Sequence, residues 1–410
     1  MTSPPVSVVV VSRGRPKALT RCLTGISQLL YAPFEIIVVA CTEGLRAVRR
    51  LPIADDLKLV VFDEANISQA RNMGVAEAAG EIVAFIDDDA VPEPAWLTYL
   101  IGPFSDPDVS AVGGFVRGRN GISWQWQAQS VDHTGETASL DVDSHRATIL
   151  TAQPGQAVKT EGTNMAIRRS ILAEMGGFDP NFHYFHDETD LNLRLAARRL
   201  QTAIAPLAEV HHGFQENAIR TRSRVPKDLH QIGASWAVFL NKHCPEDMRS
   251  EIWIAIRRRE RARALRHMVT GALEPRDVGR LMRSLDAGHA EGLTRPPIAM
   301  PALPRSATAF QPFPSNTKRQ HVVLAGRSWS AARLRAEAKA HVQAGRITTL
   351  FLFSPTALFH HVVFESDGYW CQTGGTFGRS LRNDPLFRLT SFTRRVRREK
   401  RRYCTMRGTA

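Results

Sequence analysis

Residues 80–89 read GEIVAFIDDD, a short apolar run that ends in three consecutive acids. The apolar part is typical of a strand buried on both faces, and Asp87, Asp88 and Asp89 follow where such a strand ends. Ligands of parallel α/β sheets lie beyond the carboxyl ends of the strands. Carboxylates there can hold Mg²⁺ or Mn²⁺, although a solvated acidic turn before Pro92 would have the same sequence.

Strand-like and helix-like segments alternate on both sides of this run. The sequence predicts strands at residues 6–11, 35–40, 57–62 and 82–86, and helices at residues 16–30 and 68–79. Such alternation predicts an α/β domain with a doubly wound, mostly parallel sheet and flanking helices over residues 1–214.

The rest of the chain divides by composition. Residues 215–295 read as a mostly helical, basic region, and residues 296–317 as a Pro-rich linker suited to a semi-rigid spacer. Residues 318–387 predict a small α/β domain with a hairpin at Asp367 and Gly368, and residues 388–410 form a basic tail.

Charge separates the two halves of the chain. Residues 1–214 hold 18 basic and 25 acidic side chains, so of the 53 basic and 40 acidic residues in the whole chain, 35 and 15 fall in the remainder. We therefore expect the halves to meet different partners. Nucleic-acid binding is disfavoured because the basic half has no recognisable reading module.

Cysteine use and hydropathy indicate a cytoplasmic protein. The five cysteines are scattered without zinc spacing, which implies a reducing compartment. The N-terminus lacks the basic region and cleavage site of a signal peptide. The longest apolar stretch, residues 347–364, is broken by Pro355, His360 and His361, so we expect no membrane span.

Three further groups have the residue types of a site. Asp187, Glu188 and Asp190 open a helix-like run, where acids either cap the helix or supply a general base. Residues 162–167 (GTNMAI) either bring backbone close to a ligand or form ordinary structure. His211 and His212 follow an apolar run, where a histidine is either structural or a metal ligand.

Together these segments resemble the family-2 glycosyltransferases of the GT-A fold. The matching motifs are VVVVSRGRPKAL at residues 8–19, NISQARNMG at 66–74, GEIVAFIDDD at 80–89, GTNMAIRR at 162–169, and GFD at 177–179 with DETDL at 187–191. They occur in the family's order and spacing and cover about half of the chain.

The resemblance implies an inverting, metal-dependent transfer from a nucleotide-diphosphate-sugar donor to a saccharide or lipid-linked acceptor. The implied residues are Glu188 and Asp187 for catalysis; Ser12, Arg13, Arg15, Arg71, Asp87 and Asp88 for the donor; Gly162, Thr163, Asn164 and Asp190 on the acceptor side; and Asp89, Asp87 and His211 for Mg²⁺ or Mn²⁺. Cell-surface polysaccharide or glycoconjugate synthesis is the expected setting.

Two departures from the family pattern leave details open. The segment VACT at residues 39–42 lacks the family's base-binding Asp, which leaves the nucleotide base open. The family's Glu-Asp pair is reversed to Asp187-Glu188, so either acid could be the base. Two other functions compete: a nucleotidyltransferase, and a non-catalytic polyanion- or membrane-binding protein on a degenerate transferase domain.

The basic tail suggests where the protein acts. Residues 388–407 contain nine basic residues and one acid, Glu399; Phe387 precedes them, and Leu389, Phe392 and Val396 are interspersed. Such a segment is typical of an amphipathic helix on an anionic membrane, or of a solvated tail. We expect the former, at the inner membrane face.

Overall fold

The computed structural model describes residues 3–213, 215–216, 219–221 and 223–408. Its strands are β1 (Val6–Ser12), β2 (Phe34–Ala40), β3 (Leu57–Val61), β4 (Ile82–Asp87), β5 (Ala90–Pro92), β6 (Val109–Arg117), β7 (Trp124–Trp126), β8 (Gln129–Asp132), β9 (Thr137–Ser139), β10 (Thr148–Leu150), β11 (Gln156–Lys159), β12 (Met165–Arg168), β13 (Gln201–His212), β14 (His321–Gly326), β15 (Ile347–Ser354), β16 (His361–Phe364) and β17 (Trp370–Gly375). Its α-helices are α1 (Pro16–Ile26), α2 (Thr42–Val48), α3 (Ile67–Glu77), α4 (Trp96–Ile101), α5 (Arg169–Glu174), α6 (Asp187–Ala197), α7 (His230–His243), α8 (Glu246–Val269), α9 (Pro275–Leu293), α10 (Ala331–Gln343) and α11 (Phe392–Arg407).

The central sheet has the order β10-β13-β6-β12-β4-β1-β2-β3. Strands β4, β1, β2 and β3 are parallel, as the alternating pattern predicts, whereas β12 runs antiparallel to both β4 and β6. The predicted α/β class is confirmed, with a mixed sheet. Within β1, Val8 and Val10 pack on the side of α1, while Val9 and Val11 pack on the side of α3, so both faces are covered.

Three helices follow the sheet, which agrees with the helical reading of residues 215–295. Helices α7 and α9 pack very closely at Gly288 of α9 and His230 of α7. A Cβ atom at position 288 would lie only 1.9 Å from the His230 carbonyl oxygen. Only glycine permits such an approach of two backbones.

The Pro-rich segment is packed against the sheet domain. The Phe313 ring stacks on Phe34 with ring centroids 5.3 Å apart, and the Phe313 amide donates to the Phe34 carbonyl at 2.7 Å. Farther back, the Leu303 amide donates to the Ala173 carbonyl at 2.9 Å. The composition suggests a semi-rigid spacer, whereas Leu303 and Phe313 attach the segment to the sheet domain.

A second, four-stranded sheet has the order β14-β15-β17-β16. β14 and β15 are parallel and joined through α10, and β16 and β17 form the expected hairpin, in which Gly368 adopts a φ of 85°. This sheet and α11 form the C-terminal unit.

Helix α11 corrects the expectation of a membrane-inserted tail helix. Tyr403 and Met406 are buried in the core of the C-terminal unit, and Phe392 and Val396 pack against the same core. These side chains are consequently unavailable to a bilayer. Among the described residues, no helix is both long and apolar enough to cross a membrane.

Candidate active site

The candidate site begins at the end of β4, where Asp87 closes the strand and Asp88 and Asp89 form the turn into β5. Strand β5 pairs antiparallel with β13 so that Ala90 lies opposite His212. This register brings the His212 Nε2 to 3.1 Å from the Asp89 Oδ1.

Asp87, Asp89 and His212 form a candidate metal centre. Each offers one donor atom, and these atoms all lie within 4.8 Å of one another. Burial acts to raise the pKa of Asp89, but His212 and Arg15 outweigh it and hold the pKa below its ordinary value, so the carboxylate is ionised as a metal ligand must be. Two carboxylates and an imidazole are donors that suit Mn²⁺, and the oxygen donors also suit Mg²⁺.

His211 is not part of this centre, which corrects the prediction of His211 as a ligand. Neighbouring residues of a strand point to opposite faces. His211 accordingly turns away, with its Nε2 2.9 Å from the Glu93 Oε1 and its ring centroid 4.6 Å from that of Trp370. His212 occupies the position instead. The pairing of β5 with β13 decides between the two histidines, and the local sequence does not reveal it.

Asp88 is fully buried and held by residues at the end of β1 and just after it. Its carboxylate accepts hydrogen bonds from the Ser12 hydroxyl at 2.5 Å and from the Arg15 Nε at 3.1 Å. Burial raises the pKa of Asp88 to about 7, although Arg15 opposes the shift. Arg13 is exposed and donates from its Nε to the Asp63 carbonyl at 3.0 Å. Ser12, Arg13, Arg15, Asp87 and Asp88 thus lie at one edge of the sheet, and donor binding by them stays a prediction.

Arg71 joins the two acidic groups. Its guanidinium forms an ion pair with Asp187, at the start of α6, and another with Asp87 at 3.3 Å. The Arg71 side chain is only 3% exposed, so it organises carboxylates and leaves little surface for the direct donor contact expected of it.

The two acids at the start of α6 differ in exposure. Asp187 is buried against Arg71, whereas Glu188 is half-buried. Burial raises the pKa of Asp187, Arg71 opposes that shift, and Glu188 adds to it. Of the two acids, Glu188 is the more exposed to solvent.

Glu161 and Lys159 complete this part of the site, and sequence reasoning missed both. Burial raises the pKa of Glu161 to about 7, with the Lys159 ammonium opposing and Glu188 contributing to the shift. The sequence gives one indication of Glu161 as a site residue, which is that it directly precedes the GTNMAI segment.

Of the predicted acceptor-side residues, Gly162 and Thr163 lie at the site. A Cβ atom at Gly162 would come within 2.3 Å of the Arg71 Nη2, so a larger residue here would force the Arg71 guanidinium to shift. The Thr163 hydroxyl is buried and has no hydrogen-bond partner within the described part of the chain.

Asn164 and Asp190, also predicted on the acceptor side, are buried and paired within the protein. The Asn164 amide donates to the Phe115 carbonyl at 2.9 Å and the Ala208 carbonyl at 2.8 Å, which ties β6 to β13. Asp190 is fully buried, forms ion pairs with Arg194 and Lys242, and lies within hydrogen-bond distance of His243 at 2.8 Å. Both residues are 0% exposed, so neither side chain presents surface to an acceptor.

The sequence around this site matches a known protein family. The model of the family described as "Glycosyltransferase like family 2" matches residues 4–232, more than half of the chain. The chain belongs to this family. The match contains the candidate metal centre, Arg71 and the acids of α6, and it extends beyond residue 214, the predicted end of the first domain.

Curated relatives of this family-2 member share part of its length. A glucosyl-dolichyl phosphate glucuronosyltransferase of Haloferax volcanii is 30% identical over 183 residues, which is 43% of this chain and 56% of that protein. A pre-mycofactocin glycosyltransferase of Mycobacterium tuberculosis is 31% identical over 147 residues, or 35% of this chain and 29% of that one. The match therefore covers little more than half of the first relative and less than a third of the second.

Among solved structures, a mannosyltransferase of Pyrobaculum calidifontis in complex with GDP-Man and Mn²⁺ matches with a TM-score of 0.43 and 20% identity. That match covers 72% of this chain and 88% of the other.

Proposed function

We propose that this family-2 member is an inverting glycosyltransferase that moves a sugar from a nucleotide-diphosphate-sugar donor to an acceptor hydroxyl. One observation carries the proposal: the acids that follow β4 and the acids that open α6 meet at one edge of the sheet, joined by Arg71. A general base and a cation that assists departure of a diphosphate require such a partly exposed carboxylate near a group of potential metal ligands.

The donor diphosphate would lie at Asp87, Asp89 and His212. When bound there, a divalent cation such as Mn²⁺ or Mg²⁺ would neutralise the charge that develops on the departing diphosphate. Arg15 holds Asp88 and Asp89 in place through contacts of 3.1 and 3.2 Å. Preorganised groups of this kind stabilise a transition state without having to reorganise.

Glu188 is proposed as the general base. It would accept the proton of the acceptor hydroxyl while the oxygen attacks the anomeric carbon from the side opposite the diphosphate. Asp187 is a poorer candidate because it is buried and paired with Arg71. Asp187 and Arg71 would instead fix the start of α6, and with it the direction in which Glu188 faces.

One displacement of this kind inverts the anomeric configuration, and no covalent sugar intermediate is required. Retaining glycosidases differ in using a second carboxylate as nucleophile. The relatives suggest the setting, since the name of the Haloferax protein specifies a dolichyl-phosphate-linked sugar. For this chain we propose a saccharide or lipid-linked acceptor in glycoconjugate or cell-surface polysaccharide synthesis.

Ligand-induced stabilisation tests the proposal without knowledge of the acceptor. The chain is melted with uridine, guanosine and thymidine diphosphate sugars, each with Mn²⁺, with Mg²⁺ and with EDTA. A donor present at about 100 times its Kd stabilises the folded state by about 2.7 kcal/mol. We expect one nucleotide class to raise the Tm only with the cation and to release nucleoside diphosphate slowly. Absence of both effects for every donor would contradict the proposal.

A further inference from the structure

The C-terminal unit carries a group of exposed apolar side chains on two loops. One loop, residues 355–360, joins β15 to β16, and the other, residues 376–391, joins β17 to α11. The exposed residues, which we call the loop patch, are Leu358 (64% exposed), Phe359 (61%), Leu386 (63%), Phe387 (57%) and Leu389 (82%). Single exposed apolar residues are ordinary, but several on neighbouring loops mark a surface that binds something.

Backbone hydrogen bonds hold the two loops side by side. The Gly375 amide donates to the Leu358 carbonyl at 2.9 Å, and the Phe377 amide donates to the Thr356 carbonyl at 3.0 Å. Phe377 then connects to the rest of the second loop, because its carbonyl accepts from the Arg388 amide at 2.9 Å. These hydrogen bonds place the two loops next to each other, so the side chains of the loop patch share one surface.

Side chains fix the second loop onto α11. The Ser380 hydroxyl donates to the buried Glu399 carboxylate at 2.7 Å, and the Arg402 Nη1 donates to the Ser380 carbonyl at 2.7 Å. Asp384 accepts the Leu381 amide at 3.0 Å and forms an ion pair with Arg398. The apolar side chains of the loop therefore stay exposed in an ordered segment.

The surroundings of the patch are strongly basic. Residues 376–410 contain eleven Lys and Arg and two acids, Asp384 and Glu399. Both acids form ion pairs with arginines of the same unit, and their side chains are only 11% and 1% exposed. The exposed basic side chains of this stretch are Arg382 and Arg388, which neighbour the patch residues in sequence, and Arg394, Arg397 and Lys400 on α11.

We propose that the loop patch docks the protein on an anionic lipid bilayer, with its leucines and phenylalanines below the headgroups and the surrounding arginines on the lipid phosphates. Lipid is favoured over a nucleic acid because single-stranded nucleic acids are bound by stacked aromatic rings, whereas three of the five patch residues are leucines. Anionic lipid supplies the charge complement for the basic rim.

The C-terminal unit is fixed to the transferase domain, so docking would also orient the active site. The Gln28 Nε2 donates to the Gly368 carbonyl at 2.7 Å, and the Val362 amide donates to the Asn120 carbonyl at 2.9 Å. Arg407 of α11 forms a buried ion pair with Glu93, just after β5. Val362 and Phe364 of β16 also line a crevice beside His212.

Vesicle co-sedimentation of the full chain tests the proposal independently of any transfer activity. The probes are phosphatidylcholine vesicles with and without phosphatidylglycerol. We compare Phe387→Ser with Leu389→Ser, made together, against a control pair of equally exposed apolar residues at helix ends, Val269→Ser with Leu293→Ser (82% and 56% exposed). A second comparison sets Arg382, Arg388 and Arg397, all changed to Gln, against Arg258, Arg261 and Arg276, changed likewise.

We expect the wild-type chain to bind phosphatidylglycerol vesicles and to leave plain phosphatidylcholine in the supernatant. The patch pair should lower the partition coefficient by about tenfold or more, and the control pair should leave it within about twofold. The patch arginines should matter more than the control arginines. All the substitutions are at exposed positions, so the Tm should stay unchanged.

Other results would overturn the proposal. These are equal losses for the patch and control pairs, binding indifferent to phosphatidylglycerol, or no vesicle binding by the wild-type chain. Retention of the wild-type chain by single-stranded RNA without vesicle binding would assign the surface to nucleic acid instead.

Discussion

Removing Arg407 should detach the end of α11 from the transferase domain. The Arg407 guanidinium donates to both Glu93 oxygens at 2.8 Å and to the Thr349 hydroxyl at 2.9 Å. Its Cζ lies 4.5 Å from the centre of the Trp370 ring and 4.1 Å from that of Tyr403. Arginine and glutamate are 1% and 0% exposed.

The magnitude follows from the charge that Arg407→Ala leaves behind. Arg407 is a main cause of the lowered pKa of Glu93, which burial acts to raise. Removing one partner of a buried ion pair costs about 3–5 kcal/mol because the other charge stays buried without compensation. Replacing both partners, with Glu93→Gln and Arg407→Met together, removes that uncompensated charge and should restore more than half of the lost stability.

Urea unfolding and hydrogen exchange of the α11 amides measure this effect. The control is Arg401→Ala, an exposed position on the same helix, where we expect a change within about 0.5 kcal/mol. Arg407→Ala should lower the unfolding midpoint and accelerate exchange throughout α11. If Arg407→Ala and Arg401→Ala behave alike, or if the double replacement is as unstable as Arg407→Ala, the ion pair does not hold the two units together.

Three further predictions concern the metal centre and the pH dependence of stability. Asp89→Ala should lower transfer by about 10³-fold or more by removing a metal ligand, and wild-type transfer should stop in EDTA; full activity in either case would exclude Asp89 as a ligand. His212→Ala should raise the Mn²⁺ concentration for half-maximal activity by about 10- to 100-fold. His211→Ala should leave that concentration unchanged but lower the stability by about 1–3 kcal/mol, because Glu93 loses a hydrogen bond. The reverse pattern would place His211 in the metal centre. Burial and the nearby Arg395 and Arg402 lower the pKa of His360 to about 4, while the Gly375 carbonyl and Glu399 oppose the shift. Below pH 6.5, its ordinary pKa, His360 therefore binds a proton in the unfolded chain more readily than in the folded protein. Stability should therefore fall by about 2 kcal/mol for this group between about pH 7.5 and about pH 5, a loss that His360→Gln should reduce in urea titrations at the two pH values; an equal loss in the variant would contradict this assignment.

The parallel half of the sheet could be predicted because its signals are local. The β-branched run of β1 and the apolar run of β4 each identify a strand without reference to the rest of the chain. Strands β6, β12 and β13 pair across long stretches of sequence, and no local pattern specifies that β12 lies antiparallel between β4 and β6. The mixed order of the sheet was therefore missed.

The same distinction explains the site. The acids after β4 and at the start of α6 follow from motif and position, but the choice between His211 and His212 depends on the register of β13 with β5. The buried partners of Asn164 and Asp190 likewise come from distant elements. A motif indicates which residues recur in a site and leaves open which of them face a substrate.

Helix α11 shows how one pattern fits two environments. Apolar residues on one face with arginines on the other suit both a membrane surface and a protein core. Tyr403 and Met406 find that core in the C-terminal unit. The exposed apolar surface instead comes from the loops around Leu358 and Phe387, whose exposure depends on tertiary structure.

Glu188→Gln is the most direct test of the central claim, because it keeps the shape of the side chain and removes the base. Transfer is measured in a single turnover with saturating donor and acceptor, and donor affinity is measured separately in the presence of Mn²⁺. We predict that the transfer rate falls by about 10²- to 10⁴-fold while the donor Kd stays unchanged. An unchanged transfer rate, or a loss of donor affinity with normal turnover of the bound donor, would contradict the assignment of Glu188 as the base.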